Sequence, residues 1–282
     1  MVKVLKSGFY STLQDLGRIG FEKYGVPVSG VMDIYTAKLA NALLHNNAAD
    51  ALLEITMTGP TLLFSHDTFI CITGARMNPL LNQDTIKQNH VVKVSAGDIL
   101  TFGKLELGFR AYLAVSGGFK GEEVMNSRSM YANITSLVTI NNGDALQIAT
   151  PSNILERTHS AIKVNTNHFI TKNIEVFKGP EFDKLSKKQQ KLLFSQDFII
   201  SKDNSRMAYQ LKELLENNLK PIITSLVLPG TVQITPLGKL IILMRDCQTT
   251  GGYPRVLQLK ETSINVLAQK FTGNKIRFVN VE

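Results

Sequence analysis

Apolar and β-branched residues along the 282-residue chain fall in short runs, and Gly, Asp, Asn or Pro breaks the runs apart. Strands are expected at 61–64, 68–72, 91–94, 99–102, 110–115, 145–148, 174–177, 231–234 and 240–244. Each has ordinary strand length and is rich in Val, Ile, Leu, Phe or Thr. The turn signals Ala96-Gly97-Asp98, Asn141-Asn142-Gly143-Asp144 and Leu228-Pro229-Gly230 stand directly ahead of strands. The opening 1–8, with Lys3 and Lys6 inside an alternating pattern, reads as an edge strand. Helical spacing is confined to three stretches. One is 33–44, with Asp33 as N-cap and Ala37, Ala40, Leu43 and Leu44 on one face; the others are 182–194 and 207–215. An all-β or β-dominated α+β fold follows, and closed or nearly closed sheets would hide so many edges economically.

A faint internal echo divides the chain. Asn126-Ser127-Arg128 precedes Ser136-Leu137-Val138, much as Asn204-Ser205-Arg206 precedes Ser225-Leu226-Val227. Gly59-Pro60 and Gly179-Pro180 each follow a strand containing a glutamate, Glu54 and Glu175. Two similar units are expected, at 1–160 and 161–282, joined somewhere in the polar stretch 150–173.

Composition narrows the function classes. With 44% hydrophobic and 19% charged residues the chain can bury a real core. The longest apolar runs fall far short of the ~20 residues of a membrane helix. The first residues lack the apolar stretch of a signal peptide, so a soluble, cytoplasmic protein is expected. The net charge of +8 is scattered, and the one dense basic run, 184–191, reads as the solvated face of a helix. Nucleic-acid binding is therefore not expected. Cys71 and Cys247 sit among apolar neighbours outside any CxxC pair, and the five histidines lack HxH or HExxH spacing, so no metal site is expected. The run 97–104 departs from a phosphate-cradling loop: five residues separate its glycines, and Leu105 stands where a magnesium-binding hydroxyl belongs.

Two clusters carry candidate chemistry. The first runs from Thr12 to Asp33, where glycines and a proline shape a loop that could hold Gln14, Asp15, Arg18 and Ser29 on a fixed rim. Its structural alternative is a loop in which Asp15 pairs with Arg18 and caps a turn. The second is Asp246-Cys247-Gln248-Thr249-Thr250-Gly251-Gly252-Tyr253-Pro254, after an apolar strand. Backbone N–H groups near Gly251-Gly252 could hold an anionic oxygen there; the alternative is a wide hairpin turn. Ser116-Gly117-Gly118 and Thr73-Gly74-Ala75 are weaker signals. Arg128 and Arg206 suit carboxylate or phosphate, though such arginines more often form surface ion pairs.

Taken together, these clusters resemble the family of 5-oxoprolinase C subunits, also described as biotin-dependent carboxyltransferase, allophanate hydrolase subunit 2 or KipA-like. The resemblance rests on Gln14-Asp15-Leu16-Gly17-Arg18, Gly25-Val26-Pro27, Ser29-Gly30, Met32-Asp33 and Asn41. Glu54-Ile55-Thr56, Thr73-Gly74-Ala75, the run 108–118 and the run 248–254 continue it in order. The chain departs from the usual pattern at Met130, at Asn204-Ser205 where Ser-Asp is usual so that an acid is lost, and at Cys247 where an arginine is usual.

The resemblance implies a mainly β fold of tandem cyclophilin-like β-barrels with a few short helices. It implies a component of an ATP-dependent enzyme that opens 5-oxo-L-proline to L-glutamate, inactive alone. A KipI-like B subunit and an A subunit would be its partners, with ATP bound at a site shared with or supplied by a partner. The alternatives it carries are a carboxyltransferase component acting on urea, and a non-catalytic partner of a KipI-like protein. No Met-Lys dipeptide that could accept biotin occurs, so biotin would arrive on another chain. The expected catalytic residues are Arg18, oriented by Asp15, and Thr250 and Asp246. Gln14, Ser29, Asp33, Arg128, Ser116, Gly117, Gln248, Thr249, Gly251, Gly252 and Tyr253 are expected around the substrate.

Overall fold

Strands that are buried alternately, such as Val2–Lys6 and Ala208–Leu214, and strands buried on both faces, such as Leu52–Thr56 and Leu107–Val115, build two separate cores in the computed structural model, which describes residues 1–149 and 164–281. The chain divides into two units. The first is Met1–Gly17 with Asp33–Phe169, and the second is Arg18–Met32 with Ile170–Glu282. The expected boundary at 160/161 lies outside the described residues.

The first unit has two sheets. One runs in the order Ala145–Leu146, Val2–Lys6, Thr61–Phe64, Ile99–Phe102, Pro79–Leu81, Asp84–Thr85. The other runs Tyr10–Gln14, Leu52–Thr56, Leu107–Val115, Thr68–Arg76, Val91–Val94. Val2, Val4, Leu62 and Phe64 from the first sheet and Leu53, Ile55, Ile72 and Leu113 from the second share one core. The first strand is not at an edge, contrary to expectation. Val2 pairs with both Leu146 and Phe64, because the late 145–146 segment returns to cover it.

The second unit is a closed barrel in the order Asn173–Lys178, Arg255–Leu259, Thr231–Ile234, Lys239–Leu243, Ala208–Leu214, Phe198–Asn204, Lys275–Asn280. Closure leaves no edge to template aggregation. Ile174, Val176, Phe198, Ile200, Val232, Ile242, Leu257 and Phe278 fill it. So does Met32, which arrives from near the start of the chain and is fully buried.

The helix at Ile34–Leu43 has the expected cap: the Asp33 carboxylate accepts from the Thr36 amide. The run 182–194 is broken into a short 3-10 turn and a helix at Lys187–Ser195, begun by a capping box of Ser186 and Gln189. The expected helix at 207–215 is a strand, Ala208–Leu214. Tyr209 and Leu211 point inward two residues apart, and pairing with Ile242 and Ile200 outweighs the weak helical preference of Leu, Lys and Glu. The helix at Glu261–Ala268 was not expected. It lacks a side-chain cap and contains Thr, Ser, Asn and Val, yet Ser263 through Ala268 are all buried. Packing, rather than propensity, holds it.

Because Met32 belongs to the second core, Met32→Ala should destabilise that unit by about 2–5 kcal/mol. Hydrogen exchange should show lost protection across 173–280 with 2–146 little changed. Loss confined to the first unit would contradict this packing.

Candidate functional site

The first cluster read from the sequence is split between the units: Thr12–Gly17 and Asp33 belong to the first, and Arg18–Met32 to the second, which also holds the whole of the second cluster. In the first unit the chain leaves the Tyr10–Gln14 strand at Asp15, whose carboxylate is saturated. Oδ1 accepts from Gly17 N at 2.8 Å, and from the hydroxyls of Ser127 and Ser129 at 2.7 Å each. Oδ2 accepts from Arg128 N at 2.5 Å. Gln14 is likewise spent, donating to Thr12 Oγ1 and to the Met130 carbonyl. Both residues are buried rather than displayed on an open rim. Polar groups removed from water must be satisfied locally, and these are.

Asp15 thereby fixes the backbone that carries Arg128. The Arg128 guanidinium reaches the Gly121 carbonyl and Glu123 Oε2, at the wall of a cavity of about 210 Å³ that Lys120 and Met130 also line. Met130, one of the departures, supplies apolar wall, and its sulfur accepts from Leu13 N. Ser116 and Gly117 form a turn, with Gly117 N donating to Asn46 Oδ1 at 2.8 Å.

Beneath the Ile34–Leu43 helix the sheet carries an unusual buried row. Thr12, Glu54, Tyr112 and Thr73 are direct cross-strand partners and share one face. Glu54 lies 3.7 Å from Arg110, both almost fully enclosed. Asp33 continues the row: its amide donates to the Tyr112 hydroxyl at 2.8 Å, and its Oδ2 accepts from Thr36 Oγ1 at 2.6 Å and stands 3.5 Å from His168 Nε2. Burial, and then the charges of Glu54 and Asp33, push the Tyr112 phenol well above its ordinary value, so it stays protonated. Burying so many charges is costly, which marks this face as more than packing.

In the second unit the segment Arg18–Met32 is clasped to the loop after the Lys239–Leu243 strand. Ser29 N donates to the Arg245 carbonyl at 3.0 Å and Ser29 Oγ to Asp246 Oδ1 at 2.6 Å. Arg206 grips Asp246 with a fork, Nε to Oδ2 at 2.8 Å and Nη2 to Oδ1 at 2.9 Å, and also donates to the Gly30 carbonyl. Arg206 is thus a buried pair, unlike the surface pair of Arg128 with Glu123. Arg18 is 1% exposed, its amide bonded to the Val28 carbonyl at 2.7 Å.

Thr250 and Gly251 form a short strand against Ser225–Leu226, and Gly252 accepts from Ile222 N. This flap is tied down by Arg255, which forks Glu181 and donates from Nη1 to the Leu226 carbonyl at 2.9 Å. The same hydrogen bonds hold the Glu181 carboxyl below its ordinary value. Thr249, Thr250 and Tyr253 keep partial or full exposure, while the Gln248 Oε1 is enclosed without a hydrogen-bond donor among the described residues. Cys247 packs on Val227 and Leu243, and Asn204 bonds Ser201 and Thr272, so both departures are absorbed locally. Among the described residues no three or more His, Cys, Asp or Glu side chains are placed to hold a metal ion. No helix among them is long and apolar enough to cross a membrane.

The carboxyltransferase domain family, subdomains A and B, matches residues 24–280. The chain belongs to that family. The 5-oxoprolinase C subunit of Escherichia coli (strain K12) is 32% identical over 286 residues, covering 99% of this chain and 91% of the relative. Its Haemophilus influenzae counterpart is 29% identical over 284 residues, covering 99% and 90%. Among solved structures, the K. lactis urea amidolyase superposes with a TM-score of 0.87 at 26% identity. It covers all of this chain, which spans only 19% of that much longer protein. The mainly β expectation holds.

His168, Tyr112 and the serines 127 and 129 were missed as site residues. Their partners Asp33 and Asp15 lie 79 to 135 positions away in the chain, and spacing alone carries no such signal.

Two outcomes are expected. Asp246→Ala strips Arg206 of its fork in a buried setting and should cost about 3–5 kcal/mol in denaturant titration. Burial pushes both thiols up to about 12, with the Asp246 charge adding at Cys247. At pH 8 the thiolate fraction is then on the order of 10⁻⁴. Neither cysteine should react with iodoacetamide until the protein unfolds, and rapid native labelling of Cys247 would overturn this placement.

Proposed function

We propose that this chain is the C subunit of a cytoplasmic, ATP-dependent 5-oxoprolinase that opens 5-oxo-L-proline to L-glutamate. One observation carries the reading: likeness to a 5-oxoprolinase C subunit extends over 99% of this chain and 91% of that relative. Lactam opening breaks the ring C–N bond, with water supplying a hydroxyl to the carbonyl carbon and a proton to the nitrogen. The lactam is a stable amide, so the step is coupled to ATP, which an A subunit and a KipI-like B subunit would bind or complete.

Ring opening needs donors for a developing oxyanion and a clamp for the substrate carboxylate. In this reading Thr250 and the Gly251-Gly252 amides supply the donors. Arg18 clamps the anionic group, and Gln248, Thr249 and Tyr253 complete the pocket. Asp246, with both oxygens committed to Arg206 and Ser29, acts by positioning; Asp15 does the same for Arg128. The Glu181–Arg255 fork keeps the Thr250 flap in place.

A second reading is favoured by the superposition on urea amidolyase: transfer of a carboxyl group from carboxybiotin, carried on another chain, to a small acceptor. The chemistry at the oxyanion would be alike. Substrate separates the two.

With the A and B subunits added, the complex should hydrolyse ATP in response to 5-oxo-L-proline, while the chain alone should not. Thr250→Val should lower turnover about a hundredfold with assembly and melting temperature preserved, and Arg18→Lys, which keeps a charge at this enclosed position but removes the guanidinium fork, should lower it as well. Parental turnover in both folded variants would sink the site assignment. Turnover only with urea and carboxybiotin would replace the first reading with the second.

A further inference from the structure

In the first unit a cavity of about 120 Å³ opens beside the Ile34–Leu43 helix. Leu39, Leu107 and Phe169 give it a hydrocarbon lining. Gly74 forms part of the wall at φ +88°, where a Cβ would stand 2.5 Å from the Arg110 carbonyl, so a side chain there would be strained and crowded.

The polar groups of this cavity are unlike one another, and some are already engaged: Gln88 Nε2 donates to the Ala75 carbonyl at 3.0 Å. Asn89 Oδ1 is an enclosed acceptor that meets no donor among the described residues. Its backbone is fixed, left-handed at φ +59° and bonded through the amide to the Ile72 carbonyl at 2.8 Å, which anchors this turn to the Thr68–Arg76 strand. Arg76 is half exposed, and its ion-pair contact with Glu106 is a loose 3.8 Å. The Tyr35 hydroxyl accepts from Asn165 N at 3.4 Å, which leaves its own proton for another acceptor. His168 is held at both ring nitrogens. Nδ1 lies 2.9 Å from the Asn165 carbonyl, while Nε2 faces Thr36 Oγ1 at 3.4 Å and Asp33 Oδ2 at 3.5 Å. It is therefore wall, not a free group.

A buried acceptor without a donor is costly unless a water or a ligand supplies one, and a ligand N–H can replace a water there. Two donors at the same cavity call for an anion, and an arginine fork suits a carboxylate. We propose that this cavity binds a small carboxylate carrying an N–H donor, an α-amino acid or a lactam acid. Arg76 and Tyr35 take its carboxylate, Asn89 Oδ1 takes the N–H, and Leu39, Leu107 and Phe169 take the carbon skeleton. Only the choice of probes rests on the 5-oxoprolinase reading, to which this site adds a place in the first unit for substrate or product.

The test uses the full chain alone, with binding followed by heteronuclear NMR shifts. The probes are 5-oxo-L-proline and L-glutamate, with cyclopentanecarboxylate lacking the N–H and 2-pyrrolidinone lacking the carboxylate. At least one of the first two should bind saturably and shift resonances around residues 35, 76 and 89. Both truncated analogues should bind about tenfold more weakly or worse. Asn89→Gly, which tolerates the left-handed backbone, should abolish the preference for an N–H, and Arg76→Gln should weaken binding about tenfold. No saturable binding, shifts located elsewhere, or unchanged binding in both folded variants would overturn the proposal. The failures are distinguishable. Turnover by the assembled complex without binding to the lone chain sinks the cavity alone, and binding alongside a dead complex sinks the 5-oxoprolinase reading alone.

Discussion

The fork of Arg206 on Asp246 is the interaction on which the second unit depends. A seven-stranded barrel closes by backbone pairing, but its core also takes in Met32, on a segment more than a hundred residues from any barrel strand. That segment is kept in place by Ser29 on Asp246 and by Arg206 on the Gly30 carbonyl. A charge-assisted, bidentate pair in a buried setting has one geometry, so the loop after the Lys239–Leu243 strand and the early segment are specified together. The flap bearing Thr250 follows from the same loop.

The first unit uses the same device with different chemistry. Asn-Ser-Arg occurs in both units, and in each an aspartate distant in sequence binds it. Asp246 takes the guanidinium of Arg206, whereas Asp15 takes the Ser127 hydroxyl and the Arg128 amide, leaving the Arg128 guanidinium at the surface. The sequence echo therefore reports a repeated structural solution, and one repeat kept its arginine outward. The buried row of Thr12, Glu54, Tyr112 and Thr73 adds a further cost in this unit, met by Arg110, Asp33 and Thr36.

Much of the β architecture was legible because strand length, apolar and β-branched composition and flanking turn residues are local. The strands Thr61–Phe64, Val91–Val94, Ile99–Phe102 and Thr231–Ile234 have the expected bounds residue for residue, and Asp33 caps the helix that its position announced. Two errors over helices share one cause. The stretch Ala208–Leu214 has helix-forming residues but pairs with strands on both sides, and Glu261–Ala268 has poor helix formers but is buried almost throughout. Tertiary burial overrode propensities worth only tenths of a kcal/mol per residue.

The sequence by itself determined that the chain is mainly β, that its two Gly-rich loops are special, and which family it belongs to. Each of these is written in runs of neighbouring residues. Only the tertiary structure decided that Asp15 serves the 127–129 turn, that Ser29 and Arg206 meet on Asp246, and that the Arg18–Met32 segment belongs with the barrel. Those pairings join residues 40 to 217 positions apart, and a hydrogen bond selects its partner by proximity and direction in space, which chain spacing does not encode.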